Sequence, residues 1–241
     1  MLILIGFGFA PADLSLRAIA AAQRCDALYL ETYTTVTTAA PAAFKEIKQL
    51  HRTDLEENAS QLIAAAKQQT IGILVPGDPL AATTHSALVL EAKKAGIAVE
   101  VIHAASIFSA IAETGLQLYK FGKTVTLASP QKGYGPTGWY ADVLENKRRG
   151  LHTLLLLDSG TGGKPMLVAE AVALLRKAEG ERQQGLFTPE TKLVVACLGK
   201  GVIRYAALSQ LAAEFPLPAA LVLPGTLHFQ EEEFLATLES S

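Results

Sequence analysis

Short, continuous apolar runs recur along this chain and alternate with segments of helical periodicity. No other feature of the sequence narrows the possible folds as far. Residues 2–5, Leu-Ile-Leu-Ile, run straight into Gly6, the pattern of a strand buried on both faces. Residues 27–30, 71–75 and 98–102 are further runs of this kind. Between them lie helix signals. A helix through Leu14, Leu16, Ile19 and Ala22 can be capped by Asp13 or by Ser15. Helices are also predicted at 58–69, 81–95 and 106–118, with Gly96 closing the second. Strands alternating with helices predict a parallel α/β sheet with helices on both faces.

Past residue 122 the pattern changes. Strands are predicted at 124–128, 153–157, 193–197 and 220–223, and helices at 139–149, 167–178 and 205–214. Residues 131–137 and 159–165 carry the Gly and Pro of loops. The domain boundary is placed within 105–122, giving an N-terminal domain of residues 1–112 and a C-terminal domain of 113–241.

Bulk properties exclude several classes of function. Half of the 241 residues are hydrophobic, enough for a large core. The net charge of −2 lacks the basic excess of a general nucleic-acid binder, so no direct nucleic-acid contact is expected. No stretch approaches the roughly 18 apolar residues of a membrane span. The start, MLILIGFGFAP, has no basic region before its apolar run and is not read as a signal peptide. Cys25 and Cys197 stand far apart and read as buried thiols in a reducing cytosol, which predicts a cytoplasmic protein. His51, His85 and His103 have no metal-ligand spacing, so no metal site is expected.

Two turns at strand ends draw attention. Gly6-Phe7-Gly8 follows the first strand, and Glu31 ends the second about 20 residues on. Together they imitate a dinucleotide-binding fingerprint. Pro11 stands where the third glycine is required, and the NAD reading is set aside. The second turn, Val75-Pro76-Gly77-Asp78-Pro79, is stiffened by proline on both sides. Ligands of open α/β sheets bind beyond the carboxyl ends of strands. Such a turn offers backbone groups and one carboxylate there; the simpler reading makes Asp78 a cap.

Three segments in order carry a resemblance. They are GFGF at 6–9, VPGDPLAATTHSAL at 75–88 and VIHAASIFSAIAETGLQLYKFGK at 101–123. Further matches are YLETYT at 29–34, GLHTLLLLD at 150–158, LFTPET at 186–191 and LVLPGTLHFQEEEFL at 221–235. Over nearly the whole chain the sequence resembles the diphthine synthase family, within the tetrapyrrole methylase-like (class III) methyltransferases. The resemblance implies two α/β domains with a cofactor cleft between them. It implies S-adenosyl-L-methionine as methyl donor, S-adenosyl-L-homocysteine as product, a homodimer, and translation elongation factor 2 as protein substrate. The group methylated would be the amino group of a 3-amino-3-carboxypropyl histidine. Alternative readings are a tetrapyrrole (precorrin or uroporphyrinogen) methyltransferase and a non-catalytic binding module of the same fold.

By the same resemblance, cofactor contacts fall on Phe9, Asp78, Ala81, Ser106, Ile107, Leu157, Leu198 and Ala219. At Ala219 the family often has histidine, so one side-chain hydrogen bond would be missing. Ala10-Pro11-Ala12 replaces a more acidic stretch, and residues 32–45 are shortened. No Ser-His-Asp or paired-carboxylate constellation is visible, and the catalytic residues are left unassigned. His85 can orient substrate or accept a proton through water, or simply cap a helix. His103 reads as a strand-end histidine and His228 as structural. Lys120, Lys123, Lys147, Arg148 and Arg149 form basic clusters that can steer an acidic partner or face solvent. Glu231-Glu232-Glu233 reads as an exposed helix start, and Trp139 and Tyr140 as helix anchors.

Overall fold

The computed structural model describes residues 1–33, 44, 46–129, 137–159 and 164–239. The loops predicted at 131–137 and 159–165, and the shortened stretch 32–45, lie largely outside these residues. The chain divides into two compact units, Met1–Ala110 and Ile111–Ser241.

The strands of the first unit are β1 (Leu2–Gly6), β2 (Ala27–Glu31), β3 (Lys48–Leu50), β4 (Ile71–Val75) and β5 (Val99–Ile102). Its helices are α1 (Leu16–Gln23), α2 (Arg52–Glu56), α3 (Ala59–Ala66), α4 (His85–Lys94) and the single turn α5 (Ile107–Ala110). The described strands form one sheet in the order β3-β2-β4-β1-β5, and every pairing is parallel. β1 and β4 are buried along their whole length, as their unbroken apolar runs require. Leu2 and Leu4 point into one core with α2, α3 and α4, while Ile3 and Ile5 point into another with α1. Each such side chain contributes about 1.5–3 kcal/mol on burial. Both faces of β1 are apolar, so burial alone would barely resist a one-residue slip. Gly6 opposes such a slip, because a Cβ brought to its position would lie 2.8 Å from the Gly77 carbonyl oxygen.

Ser15 is the cap of α1: its Oγ accepts from the Ala18 amide at 3.1 Å. Two expected elements differ here. The helix predicted at 81–95 begins only at His85, because Thr83 and His85 both bond back to the Pro79 carbonyl and hold the preceding residues in a turn. The helix predicted at 106–118 is α5 followed by a 3-10 turn, Ile111–Thr114. The Thr114 hydroxyl caps the Ile111 carbonyl, and Gly115, at φ +76°, ends the run. β3 was not visible in the sequence because it is an edge strand with one buried residue, Leu50.

The strands of the second unit are β6 (Val125–Leu127), β7 (Thr153–Leu157), β8 (Lys192–Cys197), β9 (Val202–Ala207) and β10 (Ala220–Leu223). Its helices are α6 (Trp139–Arg148), α7 (Val168–Arg182) and α8 (Phe229–Thr237). The sheet order is β6-β7-β10-β8-β9, with β6 and β7 parallel and the other pairs antiparallel. Alternate residues Leu193, Val195, Cys197, Leu221 and Leu223 enter a core with Trp139, Tyr140 and Phe187. The helix predicted at 205–214 is absent. Its first residues form β9, which returns from β8 through Gly199 (φ +75°) and Gly201 (φ +66°), and a 3-10 turn (Leu208–Gln210) follows. The hairpin pairing with β8 overrides the helical propensity of the alanines and leucines there.

Candidate functional site

The residues expected to meet a ligand in the first unit all follow carboxyl ends of parallel strands. Phe9 follows β1, Asp78 and Ala81 follow β4, and Ser106 and Ile107 follow β5. Gly6 explains how three turns share so little space. A Cβ on Gly6 would lie 2.8 Å from the Gly77 carbonyl oxygen and 2.9 Å from both Ala104 Cβ and Pro79 Cδ. Gly8 and Gly77, both at positive φ, exchange backbone hydrogen bonds at 3.3 and 2.7 Å. The Asp13 carboxylate accepts from the Phe9 and Ala10 amides at 3.0 and 2.9 Å. The glycines therefore let turns approach one another.

Asp78 is 8% exposed, and its carboxylate ties two of these turns together. Oδ1 accepts from the Leu80 amide at 2.9 Å. Oδ2 accepts from the Ala104 amide at 3.2 Å and lies 2.7 Å from His103 Nδ1. One lone pair of Oδ1 is left over from these contacts. Ser106 is buried, its amide donating to Ser109 Oγ at 3.1 Å. Phe9, Ala81 and Ile107 are half-buried.

Behind the β4 turn, His85 is buried, its Nδ1 3.0 Å from the Pro79 carbonyl and its Nε2 4.0 Å from Glu31 Oε2. Glu31 is fully buried and accepts from the Tyr33 amide. The acid that a dinucleotide ribose would need is therefore turned into the protein. Tyr33 packs edge-on against His85, with its hydroxyl 3.4 Å from Thr84 Oγ1. Ala82 is held at φ +56° in the same turn, a conformation that costs alanine about 1 kcal/mol or more.

In the second unit, Leu157, Leu198 and Ala219 lie at the same end of the sheet. Ala220 pairs with Leu156 on β7 and with Ala196 on β8. Ala219 directly precedes Ala220, Leu157 directly follows Leu156, and Leu198 comes two residues after Ala196, so all three lie beyond this end of the β10 pairings. Leu198 is buried, whereas Leu157 and Ala219 are half-buried, so this end is an apolar surface of small and branched side chains.

Comparison with known proteins decides the family. Residues 1–187 match the family model described as Tetrapyrrole (Corrin/Porphyrin) Methylases. A diphthine synthase of Methanocaldococcus jannaschii is 39% identical over 99% of this chain and 98% of its own length. The diphthine synthase of Methanococcus aeolicus is 37% identical with the same coverage. The chain belongs to the tetrapyrrole methylases and, among them, to the diphthine synthases. The crystal structure of a putative diphthine synthase from Entamoeba histolytica superposes with a TM-score of 0.88 at 30% identity, covering 99% of this chain and 98% of that one. A second diphthine synthase crystal structure gives a TM-score of 0.87 at 32% identity, covering 99% and 96%. The chain is thus a methyltransferase, with the two-sheet fold of that family.

Membership recasts the family segments of the second unit. Glu231, expected at an exposed helix start, is 1% exposed. It accepts from the Gln117 amide at 2.9 Å, the His228 amide at 2.8 Å, Lys120 Nζ, and His152 Nε2 at 3.0 Å. It joins the C-terminal part of the segment at 101–123 to those at 150–158 and 221–235, all of which carried the resemblance. Burial would raise its pKa, but these donors outweigh burial and hold it at about 2. Lys120 also donates to the Thr226 carbonyl, Lys123 pairs with Asp142, and Lys147 donates to the Pro224 carbonyl. Three of the five basic residues considered for partner steering are thus engaged within the unit. His228 caps α8 through its Nδ1, and Trp139 and Tyr140 are buried against Phe187. Nothing in local periodicity distinguishes Glu231 from Glu232 or Glu233; only the fold turns one of them inward.

Proposed function

We propose that this enzyme transfers methyl groups from S-adenosylmethionine to the amino group of a 3-amino-3-carboxypropyl histidine on translation elongation factor 2. The observation that carries the proposal is the extent of the match. Diphthine synthases align with 99% of the chain, against residues 1–187 for the wider family. The donor, when bound, supplies a methyl group on a positively charged sulfur.

The residues present suit such a donor. Asp78 Oδ1 keeps a lone pair for a hydroxyl or an ammonium group, and the β4 and β5 turns are locked before any ligand arrives. We assign the first-unit contacts to Phe9, Asp78, Ala81, Ser106 and Ile107. Leu157, Leu198 and Ala219 are assigned to the apolar part of the donor. Ala219 offers no side-chain hydrogen bond, so backbone groups and shape serve there. The chain's contribution to rate is chiefly positioning, worth roughly 7–11 kcal/mol when two reactants are held in line. Pre-formed turns supply that positioning without an ordering cost at binding.

The proposal includes a homodimer working in the cytoplasm. Among the described residues no helix is long and apolar enough to cross a membrane. The test is incubation of the enzyme with labelled S-adenosylmethionine and elongation factor 2 carrying the aminocarboxypropyl histidine. Label on the amino nitrogen of that side chain is the expected result. An enzyme that binds the donor but leaves the factor unlabelled is not a diphthine synthase in function.

A further inference from the structure

The strand ends of the first unit carry several titratable side chains, and most are unavailable. Asp13 is occupied by two backbone amides. Glu31, Asp78 and His85 are buried. His103 differs: its side chain is 68% exposed, yet its Nδ1 is fixed at 2.7 Å from Asp78 Oδ2.

The position of the proton in that contact follows from the donors around Asp78. Both carboxylate oxygens already accept backbone N–H groups, from Leu80 and Ala104. An ionised carboxylate only accepts, so the shared hydrogen belongs to Nδ1. The neutral imidazole then bears its lone pair on Nε2, the nitrogen remote from Asp78. A carboxylate that fixes the tautomer and steadies the imidazolium, behind a histidine open on its other side, is the arrangement of a general base.

We propose that His103 is the general base of the reaction and that Asp78 is its positioning residue. This rests on the function proposed above. An amine attacks a methyl carbon only through its free lone pair, and each transfer to an N–H amine leaves the product nitrogen with a surplus proton. His103 Nε2 takes that proton: the N–H bond breaks, its electron pair stays on the substrate nitrogen, and a new N–H bond forms on the imidazole. The imidazolium is held by Asp78 and passes the proton to solvent through its exposed edge. The same relay resets the amine for the next methyl group. It gives Asp78 a second duty beside the donor turn.

The experiment uses the full chain and elongation factor 2 bearing the aminocarboxypropyl histidine. His103→Ala removes an exposed side chain and keeps the Asp78 contacts to Leu80 and Ala104. Its affinity for S-adenosylmethionine, read by calorimetry, should stay within about twofold. Its single-turnover rate of methyl transfer should fall by roughly 10²–10⁴-fold, the usual worth of a general base. Added imidazole should restore part of that rate in His103→Ala and leave the wild type unchanged. Nitrogen-15 spectra of the ligand-free wild type should show a protonated Nδ1 and a bare Nε2, and Asp78→Asn should reverse them. A His103→Ala enzyme at the wild-type rate overturns the proposal. So does a slow one that imidazole cannot rescue, or a wild-type Nε2 that carries the proton. A wild-type enzyme that leaves the factor unlabelled counts against the proposed function, while the nitrogen spectra still judge the Asp78–His103 pair.

Discussion

His152 Nε2 donates to Glu231 Oε1 at 3.0 Å, across 79 residues of sequence and with both side chains buried. The Gly225 amide donates to His152 Nδ1 at 2.9 Å, so the proton sits on Nε2, toward Glu231. Removing the carboxylate takes the counter-ion from Lys120, which keeps the Thr226 carbonyl, and leaves His152 Nε2 and the Gln117 and His228 amides without their acceptor. Glu231→Ala should destabilise the protein by about 3–5 kcal/mol, the range for breaking a buried charged pair. Urea unfolding followed by circular dichroism measures it; a loss under 1 kcal/mol would show the hub to be dispensable.

The same pair makes stability fall in acid. Burial holds the His152 pKa below its ordinary 6.5, against the pull of Glu231. The unfolded chain therefore binds a proton first, and stability drops as pH falls below about 6.5. Glu231, held at about 2 against an ordinary 4.5, contributes stability above 4.5 that is lost as pH falls toward 2. Melting temperature measured from pH 8 to pH 2 should decline through both windows. In Glu231→Gln the lower step should shrink.

Gly6→Ala should damage the proposed donor site without touching it. The added methyl meets a backbone oxygen at 2.8 Å, which cannot swing aside as a side-chain tip can. Overpacking of this kind costs about 1–3 kcal/mol. The β4 and β5 turns must separate, so affinity for S-adenosylmethionine, read by calorimetry, should fall by at least about tenfold. Unchanged affinity would mean the three turns do not act as one cradle.

Asp78→Ala should weaken donor binding for a related reason. It releases the Leu80 and Ala104 amides that hold the turn and removes the Oδ1 acceptor offered to the donor, a hydrogen bond to a charged group worth about 1.5–3 kcal/mol. Calorimetry should show a loss of between roughly tenfold and a hundredfold. An unaltered dissociation constant removes Asp78 from the donor site.

Both thiols should be inert in the native protein. Burial pushes Cys25 and Cys197 up to about 11, with Arg24 partly opposing it at Cys25. At pH 8 the thiolate fraction is then about a hundredfold below that of a free cysteine. Iodoacetamide at that pH should label neither in the native enzyme within an hour and both in urea, as mass spectrometry would record.

The elements legible in the sequence were those whose burial is written into consecutive residues. Residues 153–157 and 220–223 match β7 and β10 at both ends, and 2–5 misses β1 only by Gly6. The failures lie where strand pairing overrides local propensity. The stretch 205–214 reads as helical because Ala206, Ala207, Leu208, Leu211, Ala212 and Ala213 favour a helix until the hairpin sets β9 alongside β8. The turn at 75–79 is legible as a rigid strand-end turn from its prolines and its Gly-Asp pair. What Asp78 bonds to is not.

By itself, then, the sequence determined the buried strands, the rigid β4 turn and, through its ordered segments, the family. Local burial and turn chemistry act over a few residues, so they can be read in order along the chain. The tertiary structure alone decided which acid is turned inward at 231–233, and that Glu31 serves the interior. It also brought His103 to Asp78, 25 residues away. Hydrogen bonds between side chains depend on which strand ends become neighbours, and that is settled only when the sheet assembles.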